Sequence, residues 1–281
     1  MNGKGSSIGK GSSNGKGSSS GRLLRTAGPP ALVFVLVIGG WWLLSATVYG
    51  STNYLLPRPN AVYQAAVDNA ETLLSGLRIT FVEAAAGFLL AIVVGMFGAI
   101  VMSLAKPLER SFYPYAVLLQ TVPIVAVAPV IVLWFGYNQT SVIVISFMIS
   151  VFPILSNTLL GLLSADRNHL DLFRMHTAPR RVQFLKLRLP GALPNIFAGL
   201  RVSAGLSVIG AIVGEFIIGS GGQEGGLGVK VIFAQSRLAT DLLFAEVLAA
   251  TLLGFAFFFT VSVLGNRLLR SWHESAMRDD T

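Results

Sequence analysis

The chain has 281 residues, of which 53% are hydrophobic and only 12% are charged. A soluble globular domain carries about 25% charged residues, so lipid must solvate much of this protein. The absence of cysteine excludes disulfides, thiolate metal sites and cysteine nucleophiles. The net charge of +8 would suggest a nucleic-acid ligand in a soluble protein, but in a membrane protein its distribution along the chain matters more.

The N-terminal segment 1–25 is predicted to be a disordered tail. Within it the unit Gly-Lys-Gly-Ser-Ser begins at Gly3, Gly9 and Gly15, and Gly/Ser-rich sequence has no apolar surface to offset the entropy cost of ordering. The Gly-Lys pairs do not have the spacing of a phosphate-binding loop. Residues 26–281 are therefore expected to form the folded part, a transmembrane domain.

Six segments approach or reach the length of about 20 apolar residues that a helix needs to cross a bilayer. They are 31–47, 79–104, 115–135, 141–163, 196–218 and 242–264. The expected fold class is an all-α integral membrane protein with six transmembrane helices. Small residues that favour close helix packing recur in the second and fifth segments. They are Gly87, Gly95, Gly98, Gly205, Gly210 and Gly214. Pro123 and Pro129 are expected to kink the third segment.

The positions of the basic residues indicate that both termini are cytoplasmic. With the N-terminus placed inside, all but four of the 21 lysines and arginines fall on the cytoplasmic side, which is the side that positive charges mark. The four left outside are Arg58, Arg78, Lys230 and Arg237. The net charge therefore reflects topology, and no nucleic-acid partner is expected.

The longest polar connection after the tail is the segment 166–194, which precedes the fifth span. Asp166 or Asn168 is positioned to cap a short helix, and Thr177 to cap a second one with Pro179 in its first turn. Apolar residues at helical spacing make both helices amphipathic. Periodicity alone leaves two roles open: docking to a partner protein, or lying on the lipid headgroups.

The segment from Asp171 to Arg201 reads DLFRMHTAPRRVQFLKLRLPGALPNIFAGLR. It resembles the EAA loop of permeases of binding-protein-dependent ABC importers, in the nitrate/sulfonate/taurine-type group. Its final Leu-Pro-x-x-Leu-Pro-x-Ile-x-x-Gly-Leu-Arg run is close to that of this group, and the likeness extends from Ala31 to the C-terminus. Other matching motifs are Leu56-Pro57-Arg58-Pro59, Pro123 with Phe135-Gly136, Gly214-Glu215-Phe216 and Gly226-Leu227-Gly228.

The loop also departs from the family pattern. Asp171 stands where the family has Glu, and Leu172 and Phe173 replace two alanines. Thr177 replaces a glycine that provides a turn without a Cβ penalty. Thr177 as a cap and Pro179 with its fixed φ are expected to make the same turn by other means. These departures leave open whether the partner ATPase is dedicated to this permease or shared.

The resemblance implies a transport subunit without an enzymatic activity, cofactor or metal of its own. A separate ABC ATPase hydrolyses ATP, an extracytoplasmic solute-binding protein delivers a small solute, and a second permease copy completes the pathway in the bacterial inner membrane. The ATPase-coupling residues implied are Asp171, Thr177, Ala178, Pro179, Arg180, Phe184, Leu189 and Pro190. The transported solute is left open, and so is pairing with a different permease.

Three carboxylates fall in or near the predicted spans, where charges are costly and often functional. Glu215 matches a family motif and is a candidate for a gating or pathway role, with a hydrogen-bonded structural carboxylate as the alternative. Glu246 is interpreted as an interfacial or helix-start residue. Glu83 receives no role, because relatives tend to carry Arg at its position.

Two other classes of protein compete with the importer permease. An ion-coupled secondary transporter would explain the carboxylates, but it predicts two related halves with interrupted helices, and the sequence shows no clear repeat of that kind. A membrane-embedded enzyme would need a cluster of His or Asp residues near one membrane face, which the sequence does not have. The permease is therefore the preferred interpretation.

Overall fold

The computed structural model describes residues 19–47, 55–165, 167–219 and 225–276, and each element in these ranges is helical. The chain divides into two compact units, Met1–Pro59 and Asn60–Thr281. In the first unit, α1 (Ser19–Thr47) contains the apolar stretch Leu32–Thr47. This helix starts inside the segment predicted to be a tail, because a nucleated helix extends at little cost per residue. Residues 1–18 of that segment lie outside the described part.

The other helices lie in the second unit, except for the first residue of α2. In chain order they are α2 (Pro59–Asp68), α3 (Ala70–Leu104), α4 (Lys106–Thr121), α5 (Ile124–Phe135), α6 (Gln139–Leu163), α7 (Arg167–Met175), α8 (Arg180–Gln183), α9 (Leu189–Ile218), α10 (Leu227–Ser236) and α11 (Thr240–Ala276). A π-helical turn, Phe184–Arg188, joins α8 to α9. The short helices α2 and α10 were not predicted from the sequence.

Four helical segments among the described residues are long and apolar enough to cross a membrane. They are Ala70–Leu104, Gln139–Leu163, Arg180–Ile218 and Thr240–Leu269. α4 and α5 make a fifth if the pair counts as one span. The prediction of an all-helical membrane protein is confirmed at this level, and the count of six spans stays a prediction.

The third predicted span, 115–135, is broken in the structure. α4 and α5 are bent by 97°, and between them Val122 is extended with ψ of 122°, as residues before proline usually are. Pro123 thus ends the hydrogen-bond ladder of α4. Pro129 lies inside α5 without ending it. The segment therefore has one sharp break, at Pro123, instead of the predicted kinks at Pro123 and Pro129.

α6 and α9 pack against each other in antiparallel directions and form the central seam of the second unit. Ser146 Oγ donates to the Ser207 carbonyl at 2.8 Å, and Ser203 Oγ donates to the Ser150 carbonyl at 2.7 Å. Hydrogen bonds of this kind hold apolar helices together where no water competes. A Cβ added to Gly210 would lie 2.7 Å from Ser146 Cα, so the two backbones touch.

The close approach extends along the seam. A Cβ at Gly199 would lie 2.7 Å from the Pro153 carbonyl oxygen, and one at Gly161 would lie 3.0 Å from Ala192 Cα. Gly205 is the exception, since nothing lies within 4 Å of the Cβ it lacks. Gly205 lies on α9, as Gly210 and Gly214 do, but it faces away from α6. Its predicted role in close packing is therefore wrong.

A buried apolar cluster joins α3 to the seam. It consists of Phe88, Ala91, Val151, Ile154 and Ala204. Large apolar side chains also cover the outside of the bundle, for example Phe97 on α3 (69% exposed) and Leu252 on α11 (66% exposed). Such a surface would be unfavourable in water and is the surface that a membrane protein offers to lipid.

Gly210→Ala should destabilise the protein by about 1–3 kcal/mol, because the added methyl group must push α6 away from α9. Gly205→Ala, on the same helix but with open space around it, should be neutral or stabilising by up to about 1 kcal/mol through its higher helix propensity. Thermal unfolding of the purified chain in detergent compares the two variants. Equal melting temperatures would contradict the close contact at Gly210.

Candidate functional site

A buried polar network at the C-terminal end of α9 joins three helices. Thr80 of α3 donates its hydroxyl to Glu215 Oε1 at 2.7 Å, and the Gly228 N–H of α10 donates to Glu215 Oε2 at 2.5 Å. The Thr80 hydroxyl oxygen accepts the Leu227 N–H at 2.8 Å. Both oxygens of Glu215 are therefore satisfied, and the first turn of α10 is tied to α3 and α9.

The glycines at the start of α10 make this approach possible. A Cβ added at Gly226 would collide with the Glu215 carboxylate, and one at Gly228 would lie 2.8 Å from Glu215 Oε2. The first N–H groups of a helix have no partner within the helix and carry a partial positive charge. The Gly226-Leu227-Gly228 motif thus lets the free donors of a helix N-terminus reach a buried carboxylate.

Two more carboxylates and a lysine surround the network. Glu83, 3% exposed, shares a side-chain hydrogen bond with Glu215, which requires a proton on one of the two carboxyl groups. Lys230 Nζ donates to Ser75 Oγ at 3.2 Å, and its charge attracts both Glu215 and Glu246. Glu246 is only 1% exposed. Its interpretation as an interfacial or helix-start residue stays a prediction, and Glu246 lies within the first two turns of α11, which begins at Thr240.

A cavity of about 200 Å³ opens beside the network. Residues of α3, of the connection between α5 and α6, of the start of α6, of the end of α9 and of the start of α10 form its walls. The polar side chains that line it are Glu83, Tyr137, Asn138, Gln139 and Glu215. Among the described residues that line this cavity, none is a lysine, arginine or histidine. The carboxyl groups of Glu83 and Glu215 therefore border a space that no described basic side chain lines.

The predicted coupling loop lies at the opposite end of α9. The 30 residues of α9 span roughly 45 Å, so the loop and the carboxylates lie far apart. Phe184 and Leu189 pack against a buried cluster that fixes the loop to the bundle. The cluster consists of Leu162, Ala192 and Ile196.

The turn between α7 and α8 is made by Thr177 in a left-handed conformation. Its φ is +52°, and the Ala178 N–H donates to the Phe173 carbonyl at 3.0 Å, which is the outer hydrogen bond of a Schellman motif. Pro179, extended with ψ of 151°, is the N-cap of α8. Thr177 therefore ends the first helix instead of capping the second, and a glycine would adopt its φ at lower cost.

The second predicted loop helix is not separate from the fifth span. α8 runs through the π turn into α9, and the Leu189 N–H donates to the Phe184 carbonyl. A regular helix would bring the ring of Pro190 against the carbonyl four residues earlier, and the wider π turn relieves that clash. Asp171 and Arg180 are exposed on the surface of the loop.

Thr80 and Lys230 were not predicted as site residues. Thr80 stands three residues before Glu83, so both lie on one face of α3. A polar pair at that spacing in an apolar segment is a sequence signal that could have indicated a polar site. Lys230 was assigned to an exterior connection. Its burial depends on α10, a helix that glycine-rich sequence does not indicate.

Thr80→Val should destabilise the protein by about 1–3 kcal/mol, because it leaves the Leu227 N–H and Glu215 Oε1 buried without a hydrogen-bond partner. Thr80→Ser keeps the hydroxyl and is the matched control. The two melting temperatures, and hydrogen exchange at the start of α10, provide the measurement. Protection at Leu227 that is equal in both variants would contradict the role of the hydroxyl.

Comparisons with known proteins identify the family. The family model described as binding-protein-dependent transport system inner membrane component matches residues 87–273. A probable ABC transporter permease protein of Haemophilus influenzae is 34% identical over 249 residues, which are 88% of this chain and 99% of the relative. A formylaminopyrimidine transport permease protein, ThiX, of Halalkalibacterium halodurans is 35% identical over 242 residues, which are 84% of this chain and 93% of the relative.

Two solved structures share the fold. A crystal structure of an amino acid ABC transporter with histidines matches with a TM-score of 0.56 and 18% identity over 74% of this chain and 97% of that chain. An inward-facing structure of the MetNI methionine ABC transporter matches with a TM-score of 0.53 and 18% identity over 72% of this chain and 96% of that chain. At this identity they establish the fold, whereas the sequence matches establish the family: the chain belongs to the permeases of binding-protein-dependent ABC importers of nitrate/sulfonate/taurine type.

Proposed function

We propose that this importer permease is driven by a separate ATPase that docks on the loop between α6 and α9. The observation that carries the proposal is the continuity of the loop with the bundle. Arg180–Ile218 is a single helical segment of 39 residues, so a force applied to α8 acts directly on α9. A pair of loose helices lying on headgroups would not transmit a displacement in this way.

The loop has an exposed face for docking and a buried face for anchoring. Asp171, Arg180 and Arg181 are exposed, while Phe184 and Leu189 pack into the bundle. Exposed charged side chains on an element that is held from below are suited to recognising a groove on a partner. We infer that α7 and α8 form the surface that the ATPase contacts.

A second contact holds the loop against the end of α3. Arg188 Nη1 donates to the Ser103 carbonyl at 3.5 Å, and a cavity of about 550 Å³ separates α8 and the π turn from that end of α3. The loop is thus continuous with α9 in the chain, and it contacts α3 through side chains alone. A rigid-body shift of α8 can therefore change how α9 sits against α3, as alternating access requires.

The remaining parts of the proposal follow from the family. Two permease copies form the pathway, six spans per chain place both termini in the cytoplasm, and a solute-binding protein docks on the side of Glu215. Curated relatives carry names for solutes as different as formylaminopyrimidine, aliphatic sulfonates, riboflavin, nitrate and taurine. We infer a small solute for this permease too.

Replacing residues 171–181 by a Gly/Ser linker of equal length should abolish co-purification with the ATPase encoded beside the permease, because it removes the exposed docking face and leaves the anchor at Phe184. Membrane insertion should persist. The matched control neutralises Lys106 and Arg110, which lie in the first two turns of α4. Retention of the ATPase by the linker variant would refute the docking surface.

Glu215→Gln should preserve assembly with the ATPase and reduce solute uptake about tenfold or more. The amide NH2 of glutamine would face either the Thr80 hydroxyl or the Gly228 N–H, both of which now donate, so one buried hydrogen bond is lost. Uptake into proteoliposomes containing the full transporter measures the effect, with ATPase content as the control. Unchanged uptake would leave Glu215 as a structural residue only.

A further inference from the structure

We propose that the cavity between α8 and the end of α3 binds the phosphate group of a membrane phospholipid, with Arg180 and Arg188 as the donors. Residues at the end of α3 and on one face of α8 and the π turn line this cavity. The proposal goes beyond the transport function, because it depends neither on the solute nor on the ATPase.

The π turn places the two arginines on one face. Arg188 stands eight residues after Arg180, and in a regular α-helix this separation would offset the two side chains by about 80°. A π turn closes hydrogen bonds five residues apart and so takes up one extra residue, as the bond from the Leu189 N–H to the Phe184 carbonyl shows. The separation then equals about two full α-helical turns, and both arginines line the cavity together with Gln183.

The arginines of this cavity have no acidic partner in the described part of the chain. None of the described residues that line the cavity is an aspartate or a glutamate. The half-buried Arg188 has one hydrogen bond among the described residues, to the Ser103 carbonyl at 3.5 Å, which leaves most of its five N–H donors without an acceptor. Arg180 is exposed, and its guanidinium has no partner among the described residues. An anion between the two side chains would supply the missing acceptors.

The N-terminus of α4 adds positive potential at the same place. Ala105 lines the cavity and is the N-cap of α4, and it provides no side-chain cap. The first N–H groups of a helix have no partner within the helix and attract anions. Guanidinium groups bind phosphate oxygens through two parallel N–H donors. Two arginines beside a helix N-terminus are therefore suited to a phosphate group.

The position and size of the cavity favour a phospholipid over a free anion. α3 is long and apolar enough to cross a bilayer, so its end lies near the level of the lipid headgroups. Leu104, the last residue of α3, lines the cavity and is 62% exposed. The volume of about 550 Å³ equals roughly eighteen water molecules at about 30 Å³ each, far more than a phosphate ion occupies. The remaining space and the exposed leucine fit a glycerol backbone and the start of its acyl chains.

Lys186 provides a matched control within the same turn. It is exposed in the π turn, and it does not line the cavity. A general attraction between the basic loop and anionic lipid should therefore weaken equally in Lys186→Gln and Arg188→Gln, whereas loss of a phosphate site should appear only in the arginine variant. Arg180→Gln removes no contact to a described residue, so the fold should tolerate it.

The test measures the melting temperature of the full-length permease in detergent at constant ionic strength. The probes are phosphatidylglycerol, diacylglycerol with the same acyl chains, and inorganic phosphate. Phosphatidylglycerol, at about ten times its dissociation constant, should raise the melting temperature of the wild type by about 3 °C. Its affinity should fall about tenfold in Arg188→Gln and about threefold in the more exposed Arg180→Gln, and it should stay unchanged in Lys186→Gln.

Three results would overturn the inference. Equal stabilisation by diacylglycerol would mean that the acyl chains alone bind. Equal stabilisation by inorganic phosphate at the concentration of the lipid would mean a site for a free anion. An equal loss of affinity in Lys186→Gln would mean unspecific attraction to the loop. If Arg188→Gln does not fold, Arg180→Gln decides, because wild-type affinity in that variant also refutes the site.

Discussion

The packing of α6 against α9 is the constraint on which the rest of the structure depends. Serine hydroxyls donate across the seam in both directions, from Ser146 and from Ser203, and glycine lets the backbones touch at Gly199 and Gly210. Because the contact is steric as well as polar, the register of the two helices is fixed, and helices packed in this way move as units instead of deforming. α9 thereby becomes a rigid connection between the proposed coupling loop at one end and Glu215 at the other.

Burying the carboxylates at the C-terminal end of α9 in a membrane costs free energy, so the groups that compensate this cost are important for the structure. A buried charge is tolerated when hydrogen bonds or an opposite charge compensate it. Thr80 and the α10 N-terminus compensate Glu215, and Lys230 lies close enough to attract both Glu215 and Glu246. This compensation exists only when α3, α9, α10 and α11 are all in place. The network thus fixes the position of α10, which lacks the length to span a bilayer by itself.

Local sequence predicted the features that depend on local physics. Length and hydropathy identified the apolar helices α3, α6, α9 and α11, and the Leu-Pro run identified the loop. The rest is set by contacts between distant residues. The charge near Glu246 comes from Lys230, and one hydrogen bond of Glu215 comes from Thr80, 135 positions away. The periodicity of a single segment gives no information about pairs of residues that are far apart in the sequence. Thr177 was predicted only in part. The sequence identified it as a turn residue, whereas the backbone of the structure shows that it ends α7 with a φ of +52°.

The two ends of α9 are coupled by geometry if α9 moves against α3. Glu215 belongs to α9, which is continuous with the loop, whereas Thr80 and Glu83 belong to α3, which the loop contacts through the Arg188–Ser103 hydrogen bond. A shift of α9 would therefore change the Thr80–Glu215 hydrogen bond and the separation of the two carboxyl groups together, and with them the shape of the cavity.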